Sequence, residues 1–200
     1  MALERVVFLD RDGVINYDSV DYVKSWAEYR FLPGSLEALA ALTAARYRMI
    51  LITNQSIIGR GMVALEVLED IHRRMAAAVE QAGGRIDDIF FCPHRPDEDC
   101  ACRKPRPGMI LQASRRHRID LSCAIMIGDN AKDILCGRNA GCGATILVRS
   151  GCGAAAEKEL AAAGIRPTAV AADLLDAAGM ILSGRVAAEG RQPDAGRRQP

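Results

Sequence analysis

The sequence predicts an α/β domain built on a mainly parallel sheet, and three observations carry that prediction. Short runs that are apolar throughout recur along the chain, they alternate with segments of helical apolar spacing, and the runs end in polar or acidic residues. Strands buried on both faces read as continuous apolar runs, which marks a sheet covered by helices on both sides. In such sheets ligands bind beyond the carboxyl ends of the strands, so the residues that follow each run are the first places to look for chemistry.

Val6-Val7-Phe8-Leu9 is long enough for a buried strand and too short for a helix, and it ends at Asp10. Pro33-Gly34 introduces Leu36, Leu39, Ala40 and Leu42 at helical spacing. Met49 to Ile52 is the second strand, followed by Thr53-Asn54-Gln55-Ser56. Leu65, Leu68, Ile71, Met75 and Val79 form the stripe of a long helix that Gly83-Gly84 closes. A third strand covers Ile89 to Phe91. Cys92 to Pro107 is irregular, and helix resumes near Met109. Ala124 to Ile127 is a strand ending at Gly128-Asp129-Asn130, a helix follows from about Lys132 to Asn139, and Thr145 to Val148 is another strand. Ala-rich helices are expected over Ala154 to Ala163 and Leu174 to Leu182. After Ser183 the composition turns to Gly, Arg, Gln and Pro, which predicts one domain over 1–183 and a frayed tail over 184–200. The tail arginines Arg185, Arg191, Arg197 and Arg198 read as solvated charge.

With half of its 200 residues hydrophobic and a quarter charged, the chain has the composition of one soluble globular domain. Twenty-six basic against twenty-five acidic side chains leave a net charge of +1, so no overall field draws it to nucleic acid or an anionic membrane. Asp10-Arg11-Asp12 interrupts the first residues before a signal-length apolar segment forms, and no later stretch is long enough to span a bilayer. The expectation is a cytoplasmic monomer with neither membrane nor nucleic-acid partners. Of seven cysteines, Cys92, Cys100 and Cys102 cluster as metal ligands do, whereas Cys123, Cys136, Cys142 and Cys152 lie in apolar or Gly/Ala-rich sequence and read as small buried hydrophobes.

Asp10 and Asp12 project from the end of the first strand, with Arg11 pointing elsewhere. Other strand ends and loops carry complementary groups: Thr53, Asp129, Asp133, Arg103 and Lys104. The set suits phosphoryl transfer. A carboxylate attacking phosphorus needs a cation to offset anionic repulsion, donors for the equatorial oxygens and a nearby ammonium. Asp10 fits the nucleophile and Asp12 the acid and base. Asp10, Asp129 and a backbone carbonyl near Asp12 suffice for Mg²⁺, Thr53 holds the phosphoryl group, and Lys104 neutralises it.

Asp10-x-Asp12-Gly13-Val14-Ile15-Asn16, then Thr53-Asn54-Gln55-Ser56, then Lys104, then Gly128-Asp129 with Asp133 resemble the four ordered motifs of the haloacid dehalogenase superfamily of phosphatases, across residues 6 to 150. The resemblance implies a three-layer Rossmann-like fold and the roles just given. It also casts Asp133 in support of Lys104 or of a magnesium-bound water. No interval holds a large cap domain.

Cys92-Pro93-His94, five residues, then Cys100-Ala101-Cys102 supply three thiolates and an imidazole, a closed structural zinc set. Zinc would order a loop poor in apolar residues and present Arg103 and Lys104 as a wall of the site. His72 and His117 read as surface or packing residues. The run from Cys100 to Met109 narrows the resemblance to two families. In the D-glycero-D-manno-heptose 1,7-bisphosphate 7-phosphatase family, which Asp18, Asp21, Tyr22 and Val23 favour, the counterparts of Asp18, Ser19, Val20, Asp21, Thr53 to Ser56, Arg103, Lys104 and Asn130 line the site for a small phosphorylated sugar. The other is the histidinol-phosphate phosphatase family. The chain departs from the usual pattern in having Ile57 where a glycine is more common, beside the phosphate loop. A reading from another class is a receiver-like signalling domain, which also places Asp, Thr, Lys and Mg²⁺ on a parallel sheet. Against it, Asp12 lies two residues from Asp10, the expected nucleophile on the first strand, which favours turnover.

Overall fold

The computed structural model describes residues 5–188. Strand β1 (Val6–Leu9) is buried along its whole length and lies at the centre of the sheet. Six strands, all paired in parallel, run in the order β3-β2-β1-β4-β5-β6, with β2 Arg48–Asn54, β3 Asp88–Cys92, β4 Ala124–Gly128, β5 Ala144–Val148 and β6 Ala169–Ala171. From β1 the chain builds outward to β2 and β3, then returns to add β4 on the other side. The order therefore reverses between β1 and β4, and a crevice opens at the carboxyl ends of these two strands.

Alternate side chains of the same strands feed two separate cores, which is why the strands show no polar alternation. Val7, Leu9, Met49, Leu51, Ile125 and Ile127 face one layer, which holds α1 (Ser35–Ala44), α2 (Leu65–Gln81) and α6 (Leu174–Leu182). Val6, Phe8, Ile50, Ile52 and Met126 face the other, against α3 (Gly108–His117) and Cys136 of α4 (Ala131–Ala140). Ala131 and Ile134 of α4 also pack with Ala156 and Leu160 of α5 (Gly153–Ala162) over Leu147. Each fully buried Leu, Ile or Phe contributes roughly 1.5–3 kcal/mol, so the strand centres are the main anchor of the site above them.

The helix boundaries have local causes. Gly83, at φ +83°, ends α2 in a paired motif: its N–H donates to Glu80 O and that of Gly84 to Val79 O, bonds that a left-handed residue makes possible. Asn130 caps α4 by accepting from Lys132 N, and Asp173 caps α6 by accepting from Asp176 N.

The expected elements are present, with four differences. β6 has no counterpart in the sequence reading, because three residues at a sheet edge carry too little pattern to register. Leu65, taken as part of the buried stripe of α2, is 41% exposed. Packing continues beyond the expected boundary at Ser183: Val186 is buried in the core and its N–H donates to Met180 O. The remaining expected tail, 189–200, lies outside the described residues. Finally, Cys152 is exposed rather than a buried hydrophobe. Among the described residues no helix is long and apolar enough to cross a membrane.

Candidate active site

Asp10 extends β1 by one residue, its N–H donating to Ile127 O of β4 at 3.0 Å, so the carboxylate stands over the reversal point. Asp129 follows β4. Gly13, at φ +78°, turns the chain between them so tightly that a Cβ there would lie 2.1 Å from Asp129 Oδ2. Only glycine fits both that conformation and that space. Asp129 Oδ2 accepts from Cys152 N at 2.7 Å, and Ser150 Oγ donates to Gly13 O at 2.6 Å, which ties the β5 loop to the β1 loop.

Lys104 enters from the loop after β3. Asn54, the last residue of β2, holds both polar groups of the Lys104 backbone: its Oδ1 accepts from Lys104 N at 3.1 Å and its Nδ2 donates to Lys104 O at 3.3 Å. The ammonium donates to Ile52 O at 2.9 Å and lies 2.9 Å from Asp10 Oδ2 and 2.6 Å from Asp133 Oδ1. Asp133 in turn accepts from Asn130 N at 3.0 Å.

Asp12 is held by three residues. Arg11 Nη2 donates to both carboxylate oxygens at 2.8 and 2.9 Å, with Nε at 3.2 Å; Asn16 Nδ2 and Gln55 Nε2 each donate at 2.8 Å. Arg11 thus does not point away as expected from strand geometry. It is 1% exposed, and its Nη1 donates to His72 Nε2 on α2 at 3.2 Å. Gln55 also donates to Thr53 Oγ1 at 3.0 Å, joining the Asp12 cluster to the end of β2.

A cleft of about 310 Å³ opens over these groups, and Asp10, Asp12, Asp18, Ser19, Val20, Thr53, Asn54, Gln55, Arg103, Lys104, Asp129, Asn130 and Asp133 all line it. Asp21 lines an adjoining depression with Tyr17 and Arg30 instead. Ser56 is buried and off the cleft wall, its carbonyl accepting from Arg60 N. Ile57, the departure from the usual glycine, is fully buried rather than facing the cleft. Glycine is required two residues later, where a Cβ at Gly59 would meet Pro93 O at 2.6 Å. Sequence reading missed Arg11, His72 and Cys152. For His72 the signal existed: it falls on the same helical face as Leu68, Ile71, Met75 and Val79, and is buried with them.

The electrostatics follow from burial. Asp10 is pushed up to about 7, chiefly by desolvation, against the attraction of Lys104 and with Asp133 and Asp12 adding repulsion. Asp129 is pushed up to about 8 by burial, then Asp10 and Asp133. Lys104 is shifted the opposite way to what burial alone gives, upward, because both Asp10 and Asp133 face it. Both shifts of the Lys104–Asp10 pair are upward, which favours the charged lysine but the neutral carboxyl, because one ammonium is shared among crowded, buried carboxylates. Burial favours neutral Asp12 as well, but Arg11, Asn16 and Gln55 outweigh it and hold the carboxyl below its usual range. His72 is pushed down to about 3 by burial and by Arg11, so it is neutral, with Nε2 free to accept.

Asp10, Asp129 and Asp133 offer oxygens within 4.8 Å of one another. The Asp12 side chain is not in that group, because Arg11, Asn16 and Gln55 occupy it, which leaves the contribution expected near Asp12 to a backbone carbonyl. Asp10, Asp129 and Asp133 crowd around the single Lys104 ammonium, and hard oxygen donors with that excess of negative charge fit a divalent cation such as Mg²⁺. The second group, Cys92, His94, Cys100 and Cys102, also converges within 4.8 Å. Its donors are 3.2 Å (Cys102 to Cys92 and to His94), 3.5 Å (Cys92 to His94) and 3.7 Å (Cys92 to Cys100) apart. A tetrahedron with Zn–S bonds of about 2.3 Å has edges of about 3.7 Å, so these four fit zinc. Arg103 Nη1 donates to His94 O at 3.2 Å, and Gln55 N to Cys92 O at 2.8 Å, linking the cluster to the cleft.

The HAD-hydrolase-like family matches residues 101–177, and with curated relatives up to 45% identical over most of the chain this makes the protein a phosphoric monoester hydrolase of the haloacid dehalogenase superfamily. The D-glycero-β-D-manno-heptose-1,7-bisphosphate 7-phosphatase of Bordetella bronchiseptica is 45% identical over 179 residues, 89% of this chain and 98% of that protein; the Pseudomonas aeruginosa enzyme of the same name is 43% identical, covering 74% and 83%. The chain belongs to the D-glycero-β-D-manno-heptose-1,7-bisphosphate 7-phosphatase family. The crystal structure of the B. bronchiseptica D,D-heptose 1,7-bisphosphate phosphatase, complexed with magnesium and phosphate, superimposes with a TM-score of 0.84 at 44% identity over 90% of this chain and 99% of that one. These relatives favour neither the histidinol-phosphate nor the receiver-like reading.

Proposed function

We propose that the protein removes the 7-phosphate of D-glycero-β-D-manno-heptose 1,7-bisphosphate in bacterial heptose biosynthesis, as a cytoplasmic monomer with Mg²⁺ for catalysis and Zn²⁺ in the loop after β3. The observation that supports this most directly is the convergence of Asp10, Asp129 and Lys104 over the β1/β4 crevice, in a chain nearly half identical to enzymes of that name. Mg²⁺, bound by Asp10 and Asp129 with Asp133 beside them, would offset the charge of the phosphate against the carboxylates.

The residues then divide the work. Asp10 attacks phosphorus and the bond to the sugar oxygen breaks; Asp12, a carboxylate in the free site, takes up a proton as the phosphate enters and delivers it to the leaving oxygen, which returns Asp12 to the carboxylate. Water, deprotonated by Asp12, next attacks the aspartyl-phosphate and releases phosphate and free Asp10. Thr53 and Lys104 hold the phosphoryl oxygens as charge develops. Asp18, Ser19, Val20 and Asn130 meet the sugar, while Arg103 offers a two-point contact to the second phosphate. Asn54 and Gln55 serve the site through Lys104 and Asp12.

Phosphate release with Mg²⁺ from both anomers of the heptose bisphosphate, beside histidinol phosphate, tests the reading. The β anomer is expected to be preferred. Preference for histidinol phosphate, or release from none, overturns the substrate.

Zinc removal is expected to loosen residues 92–102 and, through the Asn54 clamp on Lys104, to raise KM several-fold. Hydrogen exchange of the loop and steady-state kinetics on a chelated sample check this; unchanged values in both, with zinc verifiably gone, rule it out.

A further inference from the structure

We infer that Arg11 and His72 are positioning residues for Asp12, forming a relay that fixes the carboxylate at the angle both proton transfers need. The inference rests on the phosphatase reading and concerns a step within it. Arg11 is a buried guanidinium whose fork grips Asp12 through Nε and Nη2, and a long cation left in a core without such partners is costly. Its remaining arm, Nη1, reaches His72, sixty-one residues along the chain. His72 is 6% exposed, sits mid-helix among Leu68, Ile71 and Met75, and packs edge-on against Phe91 at 5.9 Å between ring centroids. A core position of that kind favours an apolar side chain. The imidazole there supplies an acceptor that fixes the rotation of the guanidinium about its stem. Asn16 and Gln55 complete the cradle from the other sides. The arrangement makes helix α2 a support of the site although α2 contributes nothing to the cleft wall.

A misplaced Asp12 has a distinctive kinetic signature. An aryl ester such as p-nitrophenyl phosphate has a leaving group that needs no proton, so Asp10 still forms its phospho-intermediate. The second half, in which Asp12 deprotonates water, becomes slow. General acid and base contributions are on the order of 10²- to 10⁴-fold, and a partial displacement forfeits part of that.

The test compares wild type with His72→Leu, which removes the acceptor, His72→Gln, which keeps one, and Arg11→Met. With p-nitrophenyl phosphate, His72→Leu is expected to show a burst approaching one nitrophenol per protein, then turnover about tenfold below wild type. Arg11→Met is expected to burst likewise and fall on the order of a hundredfold. His72→Gln is expected to recover most of the loss. KM should change little in each. Unchanged kinetics in His72→Leu, or a loss without a burst and without rescue by His72→Gln, overturns the relay. Failure of wild type to hydrolyse the heptose bisphosphate while it hydrolyses the aryl ester would overturn the substrate reading instead, and the burst would still decide the role of Arg11 and His72.

Discussion

Asp10→Asn is expected to lose turnover by on the order of 10⁴-fold or more while remaining folded, because the substitution removes the attacking oxygen and nothing else nearby can replace it. Asp129 and Asp133 are the other carboxylates of the cluster, but Asp129 is anchored to Cys152 N, and Asp133 is held by Asn130 N and Lys104. Neither is at the end of β1. The fold should tolerate the change for a specific reason. Asparagine keeps the shape of the side chain, Lys104 keeps Asp133 as its partner, and a carboxylate that burial and Asp133 disfavour is gone. The metal-free variant is therefore expected to melt at or above the temperature of metal-free wild type at pH 8, where the excess negative charge is greatest. Phosphate release and thermal melts on the same samples check both halves. Retained turnover would remove Asp10 from the mechanism, and a collapse in stability would mean that Asp10 is needed to hold Lys104 in place.

How much of this was legible in the sequence depended on what each residue's surroundings demanded of it. β1, β4 and β5 are buried on both faces, so they had to be apolar throughout, and their runs were visible without any alignment. Asp10, Thr53, Lys104 and Asp129 could be grouped because they stand at strand ends or in the loop between strands, where a parallel sheet collects its chemistry. The cluster of Cys92, His94, Cys100 and Cys102 was legible from spacing alone, since its members lie within eleven consecutive residues. Arg11 was not legible. A charged residue in sequence reads as solvated unless its partner is known, and its partners are Asp12 beside it and His72 on another element. His72 differs, since its place on the apolar face of α2 predicted burial, and only the nature of its partner was missing. That the Asp12 carboxylate meets Arg11 was not legible for the same reason, because DxD spacing shows that two carboxylates are close, not which cation each one meets. The packing of Val186 was not legible, because one valine among Gly, Arg and Ala residues carries too little pattern to show that the chain returns to the core after a Gly184 turn.

Lys104→Met is expected to lose about 3–5 kcal/mol of stability at pH 8, the cost typical of removing one partner from a buried ion pair, together with nearly all activity. Methionine fills the stem of the lysine, so packing is largely kept and the loss is electrostatic. Without the ammonium, Asp10, Asp129 and Asp133 face one another with no cation among them. The pH dependence identifies the cause. In metal-free wild type the folded carboxyls titrate near 7 for Asp10 and near 8 for Asp129, above the 3.8 of the unfolded chain. The folded state then binds protons that the unfolded state has released, so stability falls as pH rises from about 4 to about 8. The contribution of Lys104 has the opposite placement: its folded value is raised, so its stabilisation is complete below 10.5 and does not titrate in this window. Removing it takes away what lowers Asp10 and Asp129, raises both further, and steepens the fall. The deficit of Lys104→Met relative to wild type should accordingly be largest at pH 8 and shrink toward pH 5, where the crowded carboxyls are protonated. Added Mg²⁺ should recover part of it at pH 8, because a cation that binds only the folded carboxylates stabilises by mass action. Urea unfolding at both pH values, with and without Mg²⁺, measures each term. A variant as stable as wild type at pH 8 would show that the lysine neutralises the phosphoryl group alone and that the carboxylates are already protonated without it.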